Sequence, residues 1–197
     1  MSTLLYVKSS IFGDHGQSSQ LADAFINEWK EQNTNASVIV RDLNAEPVPH
    51  LDGERIGGLF SEEGKRSDAQ QAVVDYADAL LAEVQQADQI LLTAPMYNFG
   101  VPSSLKAYFD HLARVGVTFK YTETGPVGLL EDTPVTIVTT RGGLYKDSGI
   151  DFQLPFVKQF LGFIGLHNTQ VIYAEGLSME GKEDAFAAAK AELVSSV

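Results

Sequence analysis

Five short apolar runs recur along the 197-residue chain, at Thr3–Lys8, Ala36–Leu43, Gln89–Ala94, Pro134–Thr140 and Thr169–Ala174. Runs of this length, lacking polar alternation, are what strands buried on both faces look like. Between them lie segments with helical spacing. Leu21, Ala24, Phe25 and Trp29 make one stripe, and Val73, Ala77, Leu80, Leu81 and Val84 make a second within Asp68 to Ala87. Leu105, Tyr108, Phe109 and Leu112 make a third, followed by the aromatic segment Phe152 to Ile164 and a last helix with Phe186, Ala189 and Leu193 inward. Strands alternating with helices call for a parallel sheet covered on both faces and wound with right-handed crossovers, an α/β three-layer sandwich. No linker-like run divides the chain, so one domain over residues 1–197 is expected.

The middle run is the most informative because of how it ends. Pro95 has no N–H to donate, so the strand Gln89–Ala94 stops there and empties into Met96-Tyr97-Asn98-Phe99-Gly100. Pro102 then marks the first turn of the helix that carries the third stripe. Two other strand ends open into unusual loops. The first strand leads into Ser9-Ser10-Ile11-Phe12-Gly13-Asp14-His15-Gly16-Gln17-Ser18-Ser19, then a helix. That order makes an anion site, because first-turn N–H groups lack internal partners and carry the positive end of the helix dipole. An equally open reading is that Ser18 or Ser19 simply caps the helix. The fourth strand ends in Thr140-Arg141-Gly142-Gly143-Leu144-Tyr145, where the glycines let a ligand approach the backbone or make a plain tight turn.

In the order 2-1-3-4-5, the first, third and fourth strands are neighbours and the chain reverses direction between the first and third. Their loops therefore converge. One offers phosphate donors and the other two offer amides and flat side chains, a combination that matches flavin mononucleotide (FMN). Neither a G-x-x-x-x-G-K-[ST] loop nor a G-x-G-x-x-G fingerprint is present, so a nucleoside triphosphate or a Rossmann-bound dinucleotide has no sequence support. Pro47, Pro49, Gly53, Gly57 and Gly58 mark a long irregular connection through about Lys65, and Arg114 to Leu130 reads as a flap or short hairpin.

Composition excludes other classes. The formal net charge of −12 disfavours nucleic acid and anionic membranes, which reward clustered Lys and Arg. There are no cysteines, which removes disulfides, thiolate nucleophiles and cysteine-bound metals, and no metal site is expected. The absence of an apolar span or a secretory leader points to a cytoplasmic protein without membrane attachment.

Lys8-Ser9-Ser10, Gln17-Ser18, Ala94-Pro95-Met96-Tyr97-Asn98-Phe99, Gly116 to Thr122, Gly125-Pro126 and Arg141-Gly142-Gly143 resemble bacterial FMN-dependent NADH-azoreductases, which also act as NADH:quinone oxidoreductases. The resemblance runs nearly end to end and includes Arg41-Asp42-Leu43, Leu51-Asp52-Gly53 and Phe160 to Gly165. It implies a flavodoxin-like fold, a homodimer with active sites at the interface, and one non-covalent FMN per subunit. By position, Ser10, Gly16, Gln17 and Ser18 would bind the FMN phosphate. Pro95, Met96, Tyr97, Asn98 and Phe99 would line the ribityl chain and ring, and Thr140, Arg141, Gly142 and Gly143 would hold the ring's polar edge. Three positions depart from the family's frequent residues: Gly16 for a hydroxyl residue, Thr140 for Ser and Tyr145 for His.

The implied activity is a two-electron ping-pong reduction of quinones and azo compounds, with hydride passing from NADH to FMN N5 and on to the acceptor. The cofactor carries that chemistry, so no side chain is assigned a catalytic role. Backbone N–H groups of Tyr97 to Phe99 and Arg141 to Gly143 are assigned to stabilise charge on the reduced ring. Phe119, Tyr121, Tyr145 and Phe163 are the substrate-pocket candidates, with Phe119, Tyr121 and Phe163 contributed from the same or the partner subunit. On residue type alone, those three aromatics fit hydrophobic packing between subunits better. A flavodoxin-type electron carrier without its own NADH oxidase activity is the alternative.

Overall fold

The computed structural model describes residues 2–197. Its central sheet joins β1 (Thr3–Lys8), β2 (Ser37–Asp42), β3 (Gln89–Thr93), β6 (Val135–Thr140) and β7 (Thr169–Ala174). All pairs are parallel and the spatial order is β2-β1-β3-β6-β7. Counted along the main sheet alone this is the expected 2-1-3-4-5. The remaining strands, β4 (Phe119–Thr122) and β5 (Gly125–Gly128), form a separate antiparallel hairpin, which resolves the flap-or-hairpin expectation.

Alternation along the strands divides the core in two. Leu5 and Val7 of β1, with Leu92 and Ile137, face α3 (Asp68–Gln86), α4 (Ser103–Leu112) and α5 (Gln153–Ile164). Leu4 and Tyr6, with Leu91, Val138 and Ile172, face α1 (Gln17–Gln32) and α6 (Lys182–Val194). Both faces of the inner strands are apolar because both are covered, the reason the strand runs lack polar alternation. The α3 start is held by a capping box: Ser67 Oγ accepts from Gln70 N–H, and Gln70 Oε1 accepts from Ser67 N–H. Such a cap contributes about 1 kcal/mol.

Several boundaries differ from the sequence reading. The long connection contains a short helix, α2 (Gly53–Leu59), whose N-cap Asp52 accepts the N–H of Arg55 at 2.8 Å. Its glycines read as breakers, yet Gly58 lets the helix lie against Val73, where a Cβ would stand 3.1 Å from the valine Cβ. On α3 the fully buried residue is Val74, with Val73 only half-buried. Pro102 is the N-cap of α4, one residue before its first turn.

The hairpin is attached to the body mostly through backbone. A Cβ at Gly128 would collide with the backbone of Gly165, the left-handed residue that ends α5. Leu130 N–H donates to Ile164 O at 3.0 Å and Leu129 N–H to Thr118 O at 2.9 Å, fixing the hairpin's exit.

Candidate active site

The loops that follow β1, β3 and β6 meet at the carboxyl end of the sheet, where the chain turns one way from β1 to β2 and the other way to β3. They enclose a cavity of about 140 Å3. Ser10, Gln17 and Ser18 come from the first loop and the start of α1, and Pro95, Met96 and Tyr97 from the second. Thr140, Arg141 and Gly142 come from the third. Phe12 and Ser178 complete the lining, and neither was foreseen. Phe12 is exposed and stands edge-on to Tyr97 at 6.3 Å between ring centres, so an exposed aromatic in a hydroxyl-rich loop was the available signal. Ser178 lies beyond β7 and is brought close by backbone bonds between the two segments, its own N–H donating to Gly142 O at 3.0 Å.

The start of α1 has the chemistry of an anion site. Its N-cap is Gly16, which has no side chain to occupy the first-turn amides, so neither Ser18 nor Ser19 caps the helix. A Cβ at Gly16 would run into Ser10 Oγ, and the glycine thereby keeps that hydroxyl beside the helix end. Ser10 Oγ accepts the N–H of Phe12 at 3.2 Å and lies 3.4 Å from Tyr97 Oη. Ser18 is only 1 % exposed, and its hydroxyl has no partner among the described residues. A buried hydroxyl without a partner is costly, and one that borders a cavity at a helix N-terminus is poised for a ligand oxygen.

The second loop is strained. Asn98 and Phe99 both adopt left-handed conformations, with φ of 49° and 67°. Tyr97 and Gly100 exchange backbone hydrogen bonds at 3.0 Å in each direction, closing a mirror-image two-residue turn around them. A phenylalanine in that region costs about 1 kcal/mol or more. The turn leaves the Asn98 and Phe99 N–H groups without partners among the described residues, whereas those of Met96 and Tyr97 are satisfied by Thr140 O and Gly100 O. Phe99 is 57 % exposed and meets Tyr145 edge-on at 6.1 Å, joining the second and third loops across the mouth.

In the third loop the amides divide similarly. Arg141 N–H donates to Ala174 O at 2.9 Å and so is not available to a ligand, which corrects its assignment among the charge-stabilising amides along with Tyr97. Gly142 and Gly143 N–H have no partners among the described residues. The Arg141 side chain is enclosed and paired with Asp151 at 2.8 Å and Glu175 at 3.0 Å.

The substrate-pocket candidates separate. Tyr145 is at the mouth beside Phe99. Phe119, Tyr121 and Phe163 cluster on the hairpin and α5, with Phe119 4.1 Å from Phe163 and 5.5 Å from Tyr121 between ring centres. None of the three lines the cavity within one chain. Phe119 is buried there, while Tyr121 is 71 % exposed.

Asp14, adjacent to the anion site in sequence, is turned away from it. Lys8 Nζ takes Asp14 at 2.5 Å and Asp42 at 2.9 Å. Burial works against the Lys8 charge, but these carboxylates outweigh it and hold the ammonium above the ordinary lysine range. For Asp42, burial pushes upward, yet the hydrogen bonds from Lys8 and from the N–H groups of Ala45 and Asn44 leave it below the usual carboxylate range. A larger groove of about 530 Å3 beside Tyr6 is bordered by Lys8 and Asp14, whose charges already meet one another. The smaller cavity, with its unmatched hydroxyl and amides, is the better site.

The chain resembles known proteins over nearly its whole length. The chain matches the family described as "Flavodoxin-like fold" over residues 2–197. It is 57% identical over 193 residues to an FMN-dependent NADH:quinone oxidoreductase of Cellvibrio japonicus, covering 98% of this chain and 97% of that protein. It is 48% identical over 195 residues to one from Alcanivorax borkumensis, covering 98% of each. Among solved structures, an azoreductase from Bacillus anthracis superposes with a TM-score of 0.90 at 30% identity, covering 100% of this chain and 98% of that one.

Proposed function

The chain belongs to the FMN-dependent NADH:quinone oxidoreductase family of flavodoxin-like proteins, and from that premise we propose that the cavity after β1, β3 and β6 is its FMN site and the seat of NADH-dependent reduction of quinones and azo compounds. The observation that carries the reading is the buried, unpartnered Ser18 hydroxyl at the open N-terminus of α1, facing two loops with unpartnered amides.

The residues present fit the cofactor. Ser10, Gln17 and Ser18, with the first-turn amides of α1, would hold its phosphate, since hydroxyls and first-turn amides supply donors where the helix dipole is positive, whereas the Gly16 N–H expected to join them is already donated to Gly13 O at 3.2 Å. Pro95, Met96 and Tyr97, which line the cavity, with Asn98 and Phe99 next in the loop, would flank the ribityl chain and ring, and Thr140 and Gly142, with Gly143 beside them, would face the ring's polar edge. Bound FMN supplies two-electron exchange, taking electrons from NADH and giving them to the acceptor in turn. The Asn98, Phe99, Gly142 and Gly143 N–H groups are fixed donors where negative charge gathers on the ring, and they need no reorganisation to meet it. Phe99 and Tyr145 shield the mouth and offer flat faces to flat acceptors. The protein supplies no acid or base side chain in this account.

The working unit we propose is a homodimer. Phe12, Phe99, Leu144 and Phe152 are exposed on the loops at this end of the sheet and helix α5, and the hairpin holds Tyr121 out into solvent. In a dimer, Tyr121 of one protomer, backed by Phe119 and Phe163, walls the partner's cleft and completes the acceptor slot. The whole chain acts as one domain in the cytoplasm, a placement supported by its acidic charge and by the lack, among the described residues, of any helix long and apolar enough to cross a membrane.

Anaerobic stopped-flow of the FMN-loaded protein tests the reading. Mixing with NADH is expected to bleach the flavin, and subsequent mixing with a benzoquinone to restore it. A flavin reducible by dithionite but not by NADH would overturn the oxidoreductase assignment.

A further inference from the structure

Arg141 is the largest side chain that is wholly enclosed, and it stands one residue before the pair of glycines with unpartnered amides. An enclosed guanidinium requires partners for its charge and its donors. Here Nη1 donates to Glu175 Oε1 at 3.0 Å, Nε donates to Thr139 Oγ1 at 3.2 Å, and Nη2 lies 2.8 Å from Asp151 Oδ2.

Each carboxylate partner holds a second piece of backbone. Glu175 Oε1 also accepts the N–H groups of Tyr145 and Lys146, both at 2.9 Å. Asp151 Oδ1 accepts those of Gln153 and Leu154 at 3.1 Å, at the start of α5. Thr139 Oγ1 donates to Gln153 Oε1 at 3.2 Å, and Gln153 Nε2 donates to Ala94 O at 2.8 Å. The Arg141 backbone is itself held, its N–H on Ala174 O at 2.9 Å and its carbonyl by Leu177 N–H at 3.1 Å. The segment carrying Gly142 and Gly143 is therefore clamped at both ends by one cluster, which also reaches the residue before Pro95.

We infer that Arg141 is a positioning residue for the cofactor's polar edge: through Glu175, Thr139 and Gln153 it aims the Gly142 and Gly143 amides and holds the Ala94–Met96 segment in register with them, without its side chain touching the cofactor. This rests on the FMN reading above. It also explains why an arginine is enclosed here with its charge met by Asp151 and Glu175. The cluster acts through backbone direction.

The test compares oxidised and reduced FMN. Amides aimed at the ring edge favour the reduced, more negative ring, whereas the phosphate contacts are common to both forms. Arg141→Lys keeps the charge and loses the fork geometry. Thr139→Val is neutral and of similar shape, and it removes the hydroxyl linking Arg141 to Gln153. Neither changes the net charge, so any discrimination between the two forms reports geometry. The expected result is that the Kd for reduced FMN rises about tenfold more than that for oxidised FMN, the factor for one well-made hydrogen bond to a charged group. The midpoint potential falls correspondingly, and Thr139→Val shows the effect even if Arg141→Lys fails to fold. Equal changes in the two Kd values, or a lowered melting temperature with both unchanged, would overturn the inference and leave the cluster a structural device. Wild-type protein that takes up no FMN would instead refute the cofactor reading, before any variant is compared.

Discussion

Replacing Ser18 by alanine should move the stability of the cofactor-free protein and its affinity for FMN in opposite directions. Ser18 Oγ is buried in the first turn of α1 and has no partner among the described residues. Leaving a buried polar group unmatched costs about 1–3 kcal/mol, so its removal relieves that penalty, and alanine is also the better helix former. Only a methylene-bound oxygen is lost, and the void is smaller than a methyl group. Thermal melting of the apoprotein should therefore show an unchanged or raised Tm, by about 2–4 °C for each kcal/mol gained in a chain of this size. A hydrogen bond to a charged phosphate contributes about 1.5–3 kcal/mol, so the Kd for FMN should rise roughly 10- to 150-fold. Fluorescence titration of apoprotein with FMN measures it. An apoprotein destabilised by 1 kcal/mol or more, with Kd within twofold of wild type, would show that the hydroxyl is an ordinary structural one and that the anion-site argument fails.

Three further outcomes can be checked. Phe99→Gly removes a side chain from a left-handed turn and should raise the urea midpoint by an amount corresponding to about 1 kcal/mol, while steady-state kinetics show a higher KM for flat acceptors because the pairing with Tyr145 is lost. Gly128→Ala drives a Cβ into the backbone at Gly165 and should cost about 1–3 kcal/mol. It should also lower acceptor turnover and dimer content by sedimentation, with FMN affinity preserved. The carboxyl of Asp42 is lowered in the folded state, so its stabilising contribution is present above the ordinary aspartate range and lost as pH falls through the lowered folded value. The stability difference between wild type and Asp42→Asn, from urea unfolding, should therefore be constant near neutrality and disappear in acid. A difference that grew on acidification would contradict the sign.

The sheet was legible because its strands write themselves as short apolar runs: β1, buried on both faces, spans Thr3–Lys8 as its run suggests, and the edge strand β7 spans Thr169–Ala174 although only Ile172 and Ala174 are buried in it. Pro95 likewise announces the end of β3 by chemistry that no tertiary contact can override. Short-range signals that point opposite ways were harder to read. The α2 glycines look like breakers, and only the reach of Asp52 to the third following amide, a local capping signal, marks the helix. Direction was not legible. Residue type cannot say that Arg141 turns inward, because its carboxylate partners stand ten and thirty-four positions later, at Asp151 and Glu175, and meet it only through the fold. Nor does sequence say which amides of a loop are already taken, which is why the structure removes Tyr97 and Arg141 from that assignment and leaves Asn98, Phe99, Gly142 and Gly143 as its candidates. Nor does residue type say that Phe119, Tyr121 and Phe163 gather on the hairpin and α5, apart from the cavity of their own chain.

The hairpin's attachment has an evolutionary corollary. Its anchoring comes from the close approach of Gly128 to Gly165, the backbone bonds after it and one buried ring, Phe119. From Lys120 to Val127 no side chain is buried. Away from Gly125, whose φ of 121° favours glycine, side-chain changes across those positions therefore cost the fold little, and a lineage can vary this projecting ribbon while its attachment at Gly128 stays fixed.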